Sequence, residues 1–139
     1  MCTQTERKDK MSKKKDPNIV LRDKRLRVLA QSRKKTSKEM AKFGCAFFDR
    51  MVDEYYGLAE RMINIEHFVW KVENKDGTFV FGEFTDAAKA LDKKDRDLIV
   101  RQYKHMAGYR DTLERRMDRV CERLVSERKE TKRPDSKEK

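Results

Sequence analysis

Acid-base or metal chemistry in this 139-residue chain would have to start from His67 and His105, its only two imidazoles. They flank the middle of the sequence, one near each end of what reads as a connection between two helices. An antiparallel arrangement would let them approach. Neither has a cysteine or a carboxylate at metal-ligand spacing, so both are read as partly exposed helix-surface imidazoles. Cys2, Cys45 and Cys121 are odd in number and far apart, with two of them inside helical apolar patterns. They read as reduced thiols in a reducing cytosol. Glu54, Glu60 and Glu66 lie among apolar positions and are read as solvent-facing acids paired with basic residues at helical spacing. The glycines at 44, 57, 77, 82 and 108 are scattered and make no phosphate loop. The chain is therefore expected to bind a partner, not to catalyse, and to need no cofactor and no metal.

The residues suited to binding are of three kinds. Gln102 interrupts an apolar stripe, where an amide must find a hydrogen-bond partner or lose about 1–3 kcal/mol. Tyr103 and Tyr109 beside it can stack on a base or fill a core, and Arg116 belongs to an arginine series (110, 115, 116, 119, 123) interleaved with acids. Phe79, Phe81 and Phe84 form an aromatic segment fit for docking a protein. Lys13, Lys14, Lys15, Arg22, Lys24, Arg25, Arg27, Arg33, Lys34 and Lys35 form a basic arm fit for phosphates.

The elements that must position them are mainly helical. Residues 1–16 have almost no apolar content and read as a disordered basic tail. From Pro17, Ile19, Arg22, Leu26 and Leu29 recur at helical spacing among basic residues, giving a basic amphipathic helix over 17–36. Ser37 is a plausible start for a second helix. Its stripe would be Met40, Phe43, Phe47, Met51, Tyr55, Leu58, Met62, Ile65 and Val69. FVWKVE and TFVFGEF then flank NKDG, and Asp-Gly between β-rich runs is a hairpin signal, the alternative being an aromatic loop over 68–84. Thr85 or Asp86 can start a short helical turn, and Asp92 with Asp95 a last helix with the stripe Leu98, Ile99, Gln102, Met106, Tyr109, Leu113, Met117, Val120 and Leu124. The fold class that follows is mainly α, a long antiparallel helical hairpin spanning 37–127 with a short β-hairpin or aromatic loop in its connection and a basic tail over 128–139. Two amphipathic helices alone leave apolar surface in water, so the 17–33 helix must complete the body or the chain must oligomerise; a homo-oligomer is expected.

Charge is partitioned along the chain. Residues 1–36 carry 13 Lys or Arg against 4 Asp or Glu, residues 37–127 carry 17 against 18, and residues 128–139 carry 6 against 3. The whole net charge of +11 resides in the ends. Such arms favour polyanions and also keep a small protein soluble. No 18-residue apolar run or signal-peptide core occurs, so neither a membrane span nor secretion is expected and the location reads as cytoplasmic.

The segments LAERMINIEHFV and FTDAAKALDKKDRDLIVRQYKHMAGYRDTLERRMDRV, within residues 58–120, resemble small helical-hairpin proteins of tailed phages, including crAss-like phages. Phe68, Phe84, Leu91, Asp95, Leu98, Ile99, Gln102, Met106, Tyr109, Leu113 and Arg116 fall into the places of that pattern. The connection with NKDGTFVFGEF is longer than usual for it, and the segment before Ser37 lies outside it. The resemblance implies a phage accessory protein of the host-takeover or counter-defence kind. By analogy of fold alone, some other small phage helical hairpins assemble into oligomers that sequester cyclic oligonucleotide immune signals, which suits a basic protein.

Three partners follow. Non-specific nucleic acid, held by the basic arms, is the reading the charge partition favours. A cyclic oligonucleotide held by Gln102, Tyr103, Tyr109 and arginines is the first alternative. A host protein docked on Phe79, Phe81 and Phe84 is the second.

Overall fold

The computed structural model describes residues 16–132, with side chains as far as Arg128. The expectations for Lys13, Lys14, Lys15 and most of both tails lie outside the described residues.

Helix α1 (Pro17–Met40) opens where Pro17 presets the first turn and the Asp16 carboxylate accepts the Asn18 N–H at 3.0 Å. It does not stop before Ser37. Nothing between residues 18 and 43 breaks a helix, so the local cap preference of Ser37 is overridden and the helix runs through it. The chain turns only at a 3₁₀ segment, Ala41–Phe43, and at Gly44, whose φ of 58° is left-handed. Met40 and Phe43 therefore belong to the turn, from which they still pack on the core, and α2 (Ala46–Val69) begins after it.

Two sides of α2 are covered, one by α1 and the other by α4 (Lys93–Lys132). Hence its buried set is wider than one stripe and includes Phe48, Val52, Tyr56, Ala59 and Ile63, while Phe47 is exposed. The centre of the core is Phe48, Met51, Val52 and Tyr56 of α2 with Leu113 and Val120 of α4, and Leu29 of α1 packs against it. The Tyr56 hydroxyl lies 3.0 Å from Ser32 Oγ and 2.9 Å from Thr36 Oγ1, a polar tie between α1 and α2. So α1 is the third helix of the body. At that end of the body Arg128 donates to the Lys42 carbonyl at 2.9 Å, fastening α4 to the turn.

The connection is a β-hairpin, β1 (Trp70–Lys75) and β2 (Thr78–Phe84), antiparallel with Val72 opposite Phe81, Glu73 opposite Val80 and Asn74 opposite Phe79. Asp76 and Gly77 both have positive φ, 52° and 81°, as a two-residue hairpin turn with the twist of the strands requires. The register shifts between Trp70 and Val72, and opposite that shift a Cβ on Gly82 would come 2.8 Å from the Lys71 carbonyl. Thr85 then caps α3 (Asp86–Lys89) by accepting the Ala88 N–H, and its hydroxyl donates to the Phe68 carbonyl. That bond locks the end of β2 to the end of α2.

The stripe of α4 divides in two. Its second half is core, with Leu113 and Val120 buried. Its first half faces water: Leu98 is 60% exposed, Tyr109 41%, and Gln102 is exposed as well. The expectation of a buried Gln102 is thus corrected. The sequence period fixes a face of α4, but α2 reaches only part of that face.

Candidate ligand-binding surface

Where α1, α2, β1 and α4 meet, a chain of buried polar groups holds them together. Glu66 and His67, 4% and 6% exposed, are not the surface residues the sequence suggests; they share the buried side of α2 with Met62, Ile63 and Val69. Glu66 Oε1 lies 2.8 Å from Arg25 Nη2, an ion pair in which Oε1 makes no hydrogen bond, and Oε2 accepts from the Tyr103 hydroxyl at 2.5 Å. Arg25 Nη1 lies 2.9 Å from His67 Nε2. A guanidinium only donates, so Nε2 accepts, and the ring proton is on Nδ1, which donates to Asn18 Oδ1 at 2.8 Å. Asn18 Oδ1 also accepts the Val72 N–H, and its amide donates to the His67 carbonyl. Burial, and then the Arg25 cation, push the His67 pKa below its usual value against the opposing pull of Glu66. Burial and the Glu66 carboxylate push Tyr103 far above the ordinary phenol range. A neutral imidazole and a protonated phenol, both already bonded, describe a structural clamp. Its sequence signal is weak: Glu66 lies four residues after Met62 and three before Val69, within the buried stripe.

Above this clamp lie aromatic rings. The Arg25 guanidinium is 4.4 Å from the Phe79 ring centre, and Trp70, Phe81 and Tyr103 form a triangle with centres 5.2–6.4 Å apart. Farther along α4, Tyr109 donates to Glu54 and Tyr55 donates to Glu114 at 3.1 Å, two reciprocal ties between α2 and α4. Burial and then Glu114 push the Tyr55 pKa up to about 12.

Two grooves compete as a ligand surface. One, about 800 Å³, runs between the start of α1, the end of α2, β1 and α3, and its charged residues are Arg22 and Lys71 against Asp16, Glu73 and Asp86. The other follows the exposed half of α4 in two adjoining parts of about 610 and 410 Å³ that share Leu98 and Arg101. Its first part has Phe84, Lys94, Asp97, Val100 and Lys104; its second has Gln102, His105, Met106 and Tyr109. Three full cations against one carboxylate give this surface a positive character that the groove beside α1 lacks. Arg96 lies over the Phe84 ring at 5.0 Å, leaving Phe84 in a cationic rim. Apolar and aromatic floor with basic flanks is the chemistry that holds a base and its phosphates.

Gln102 and Tyr109 thus share one part of this groove and Phe84 lines the adjoining part, the Tyr109 hydroxyl being bonded to Glu54; Tyr103 lines neither part, its ring packed against Trp70 and Phe81 and its hydroxyl bonded to Glu66. Phe79 and Phe81 lie on the hairpin, and Arg116 is exposed farther along α4. Lys94, Arg101 and Lys104 were missed by the sequence reading, which placed the cations of interest in the arm. Among those arm residues Arg25 is shielded by Glu66 and Phe79, Arg22 lies 3.2 Å from Asp23 and Arg33 lies 3.2 Å from Asp53, whereas Lys24, Arg27, Lys34 and Lys35 are exposed on α1. His105 borders the α4 groove and His67 faces α1, so the two imidazoles serve different parts of the fold.

No helix among the described residues is long and apolar enough to cross a membrane. No curated protein and no solved structure matches the chain. The Sequestin family model, by contrast, matches residues 46–119, which take in α2, the hairpin, α3 and α4 through the whole exposed groove, and leave out α1 and both ends. With that match spanning more than half of its 139 residues, the chain belongs to the Sequestin family.

Proposed function

We propose that this protein sequesters a small cyclic nucleotide signal, a cyclic oligonucleotide first among them, on the exposed half of α4, and that it releases the molecule unchanged. The observation that carries the reading is the location of the groove. A basic-flanked, partly apolar surface lies inside the segment matched by a family named for sequestration, and the basic arm lies outside it. In this reading Phe84 and Tyr109 stack on bases, Gln102 meets a base edge, and Lys94, Arg101 and Lys104 hold phosphates. Stacking contributes about 1–3 kcal/mol per base and suits a molecule whose rings present two faces. The setting that fits is counter-defence by a phage, in which removing a signal from solution silences the response it would trigger.

Thermal shift against a panel of cyclic di- and trinucleotides and other small cyclic nucleotides tests this, because a ligand that binds only the folded state must raise the melting temperature. The expected result is stabilisation by at least one member, recovered intact after denaturation, and equal stabilisation when residues 1–15 are removed. A flat panel, or a ligand recovered as a hydrolysed product, contradicts it.

A further inference from the structure

Hairpins of two strands have two outer edges, and here the edges differ. Along β1 the residues facing away from the body are Lys71, Glu73 and Lys75, whose charges discourage another strand from pairing. Along β2 the run is Thr78, Phe79, Val80, Phe81, Gly82, Glu83 and Phe84, with one charge, no lysine and no proline. Phe79, Val80 and Phe81 are 43%, 44% and 49% exposed, although they alternate between the two faces of the sheet. Neither face is therefore fully covered along this edge, and every second residue of β2 directs its N–H and C=O away from β1. Among the described residues no strand other than β1 pairs with β2, so its outer edge is without a strand partner.

We propose that β2 pairs antiparallel with β2 of a second copy of this chain, about a two-fold axis through Val80, to make a four-stranded sheet. The register is self-complementary. With Val80 opposite itself, Phe79 of each copy lies opposite Phe81 of the other on one face, and Thr78 lies opposite Gly82. Directly opposed aromatic residues in an antiparallel pair have Cβ atoms about 4.5–5.5 Å apart and stabilise the pairing. Glu83 lies opposite Gly77, so no like charges meet. The arrangement also closes: once the β2 edges are joined, the edges left outside are the two charged β1 strands, and the sheet cannot extend into a fibre. A second copy fits this edge better than a foreign strand because the Phe-Val-Phe core is its own mirror about Val80.

Sedimentation velocity of the full chain, without nucleotide, tests the pairing independently of the sequestration reading. The expected mass is twice 16.7 kDa at micromolar concentration, and Val80→Lys, placed on an exposed outward position, is expected to reduce it to one chain while leaving the helical circular dichroism unchanged. Mild oxidation of Val80→Cys should give a disulfide between two residues 80, identified by peptide mapping so that native thiols are not mistaken for it. Glu73→Cys, on β1, should give none, since three strand spacings separate the two copies by roughly 14 Å. A single-chain mass for the unmodified protein overturns the proposal. So does a dimer that Val80→Lys leaves intact, or cross-linking at 73 as efficient as at 80.

Discussion

Arg25 is the residue on which the buried clamp turns, because a guanidinium can only donate. That fixes His67 as a neutral acceptor at Nε2 and makes protonation of His67 incompatible with the geometry observed: a second proton would face a cation at 2.9 Å. The pH consequence has a definite sign. His67 has a folded pKa depressed below its unfolded value near 6.5, so its contribution to stability is fully present above that pH and is lost as pH falls through the folded value. We expect the melting temperature to drop as the buffer is taken below 6.5, before the carboxylates titrate, and His67→Gln to flatten that part of the profile. If the two profiles run parallel, the assignment is wrong. Arg25→Ala strands the nearly buried Glu66 carboxylate and is expected to cost about 3–5 kcal/mol in chemical denaturation, with Arg25→Ala/Glu66→Leu recovering part of the loss. On the open groove the effects are on affinity instead. Phe84→Ala or Arg101→Ala should weaken nucleotide binding roughly tenfold to a hundredfold by calorimetry, with little change in stability for the exposed Arg101 and a modest loss for Phe84, which is half-buried opposite Trp70.

At the level of elements, the helices and hairpin were legible in the sequence because their signals are local. Asp76-Gly77 between β-rich runs, Thr85 ahead of Ala88, and Pro17 at a first turn each act within four residues. The α1–α2 boundary was not legible, since Ser37 carries a cap preference that only the continuing helix overrides, while the true break at Gly44 shows as a single glycine. Gly44→Ala, in a left-handed conformation, should destabilise by ~1–2 kcal/mol, and Ser37→Ala by much less than the loss of a helix cap. Burial was legible only where one helix meets one partner. α2 meets two, which moved Glu66 and His67 inside, and at this end α2 lies against the Tyr103 side of α4, which left Gln102 and Leu98 outside. Truncation separates the two parts of the basic arm. Removing residues 1–15 should leave the melting curve unchanged, whereas removing residues 1–44 takes away Asn18, Arg25, Leu29, Ser32 and Thr36 and should abolish cooperative unfolding.

For the whole molecule, the net charge of +11 pointed to polyanions, and its location pointed to the arms. The family match shifts attention from the quantity of charge to its setting: a near-neutral segment that nonetheless gathers Lys94, Arg101 and Lys104 along an apolar strip of one helix. A sequestering protein needs affinity and abundance but no turnover, which agrees with buried polar groups, Glu66 and His67, that are already bonded and hold helices together. Sequestration on α4 is decided by isothermal titration of the full-length protein with the cyclic nucleotide that most raises its melting temperature, followed by chromatography of the recovered ligand. The expected result is saturable binding that Phe84→Ala and Arg101→Ala weaken and that loss of residues 1–15 does not, with the nucleotide recovered intact. Binding that survives both substitutions but disappears with residues 1–15, or a nucleotide recovered cleaved, would contradict it.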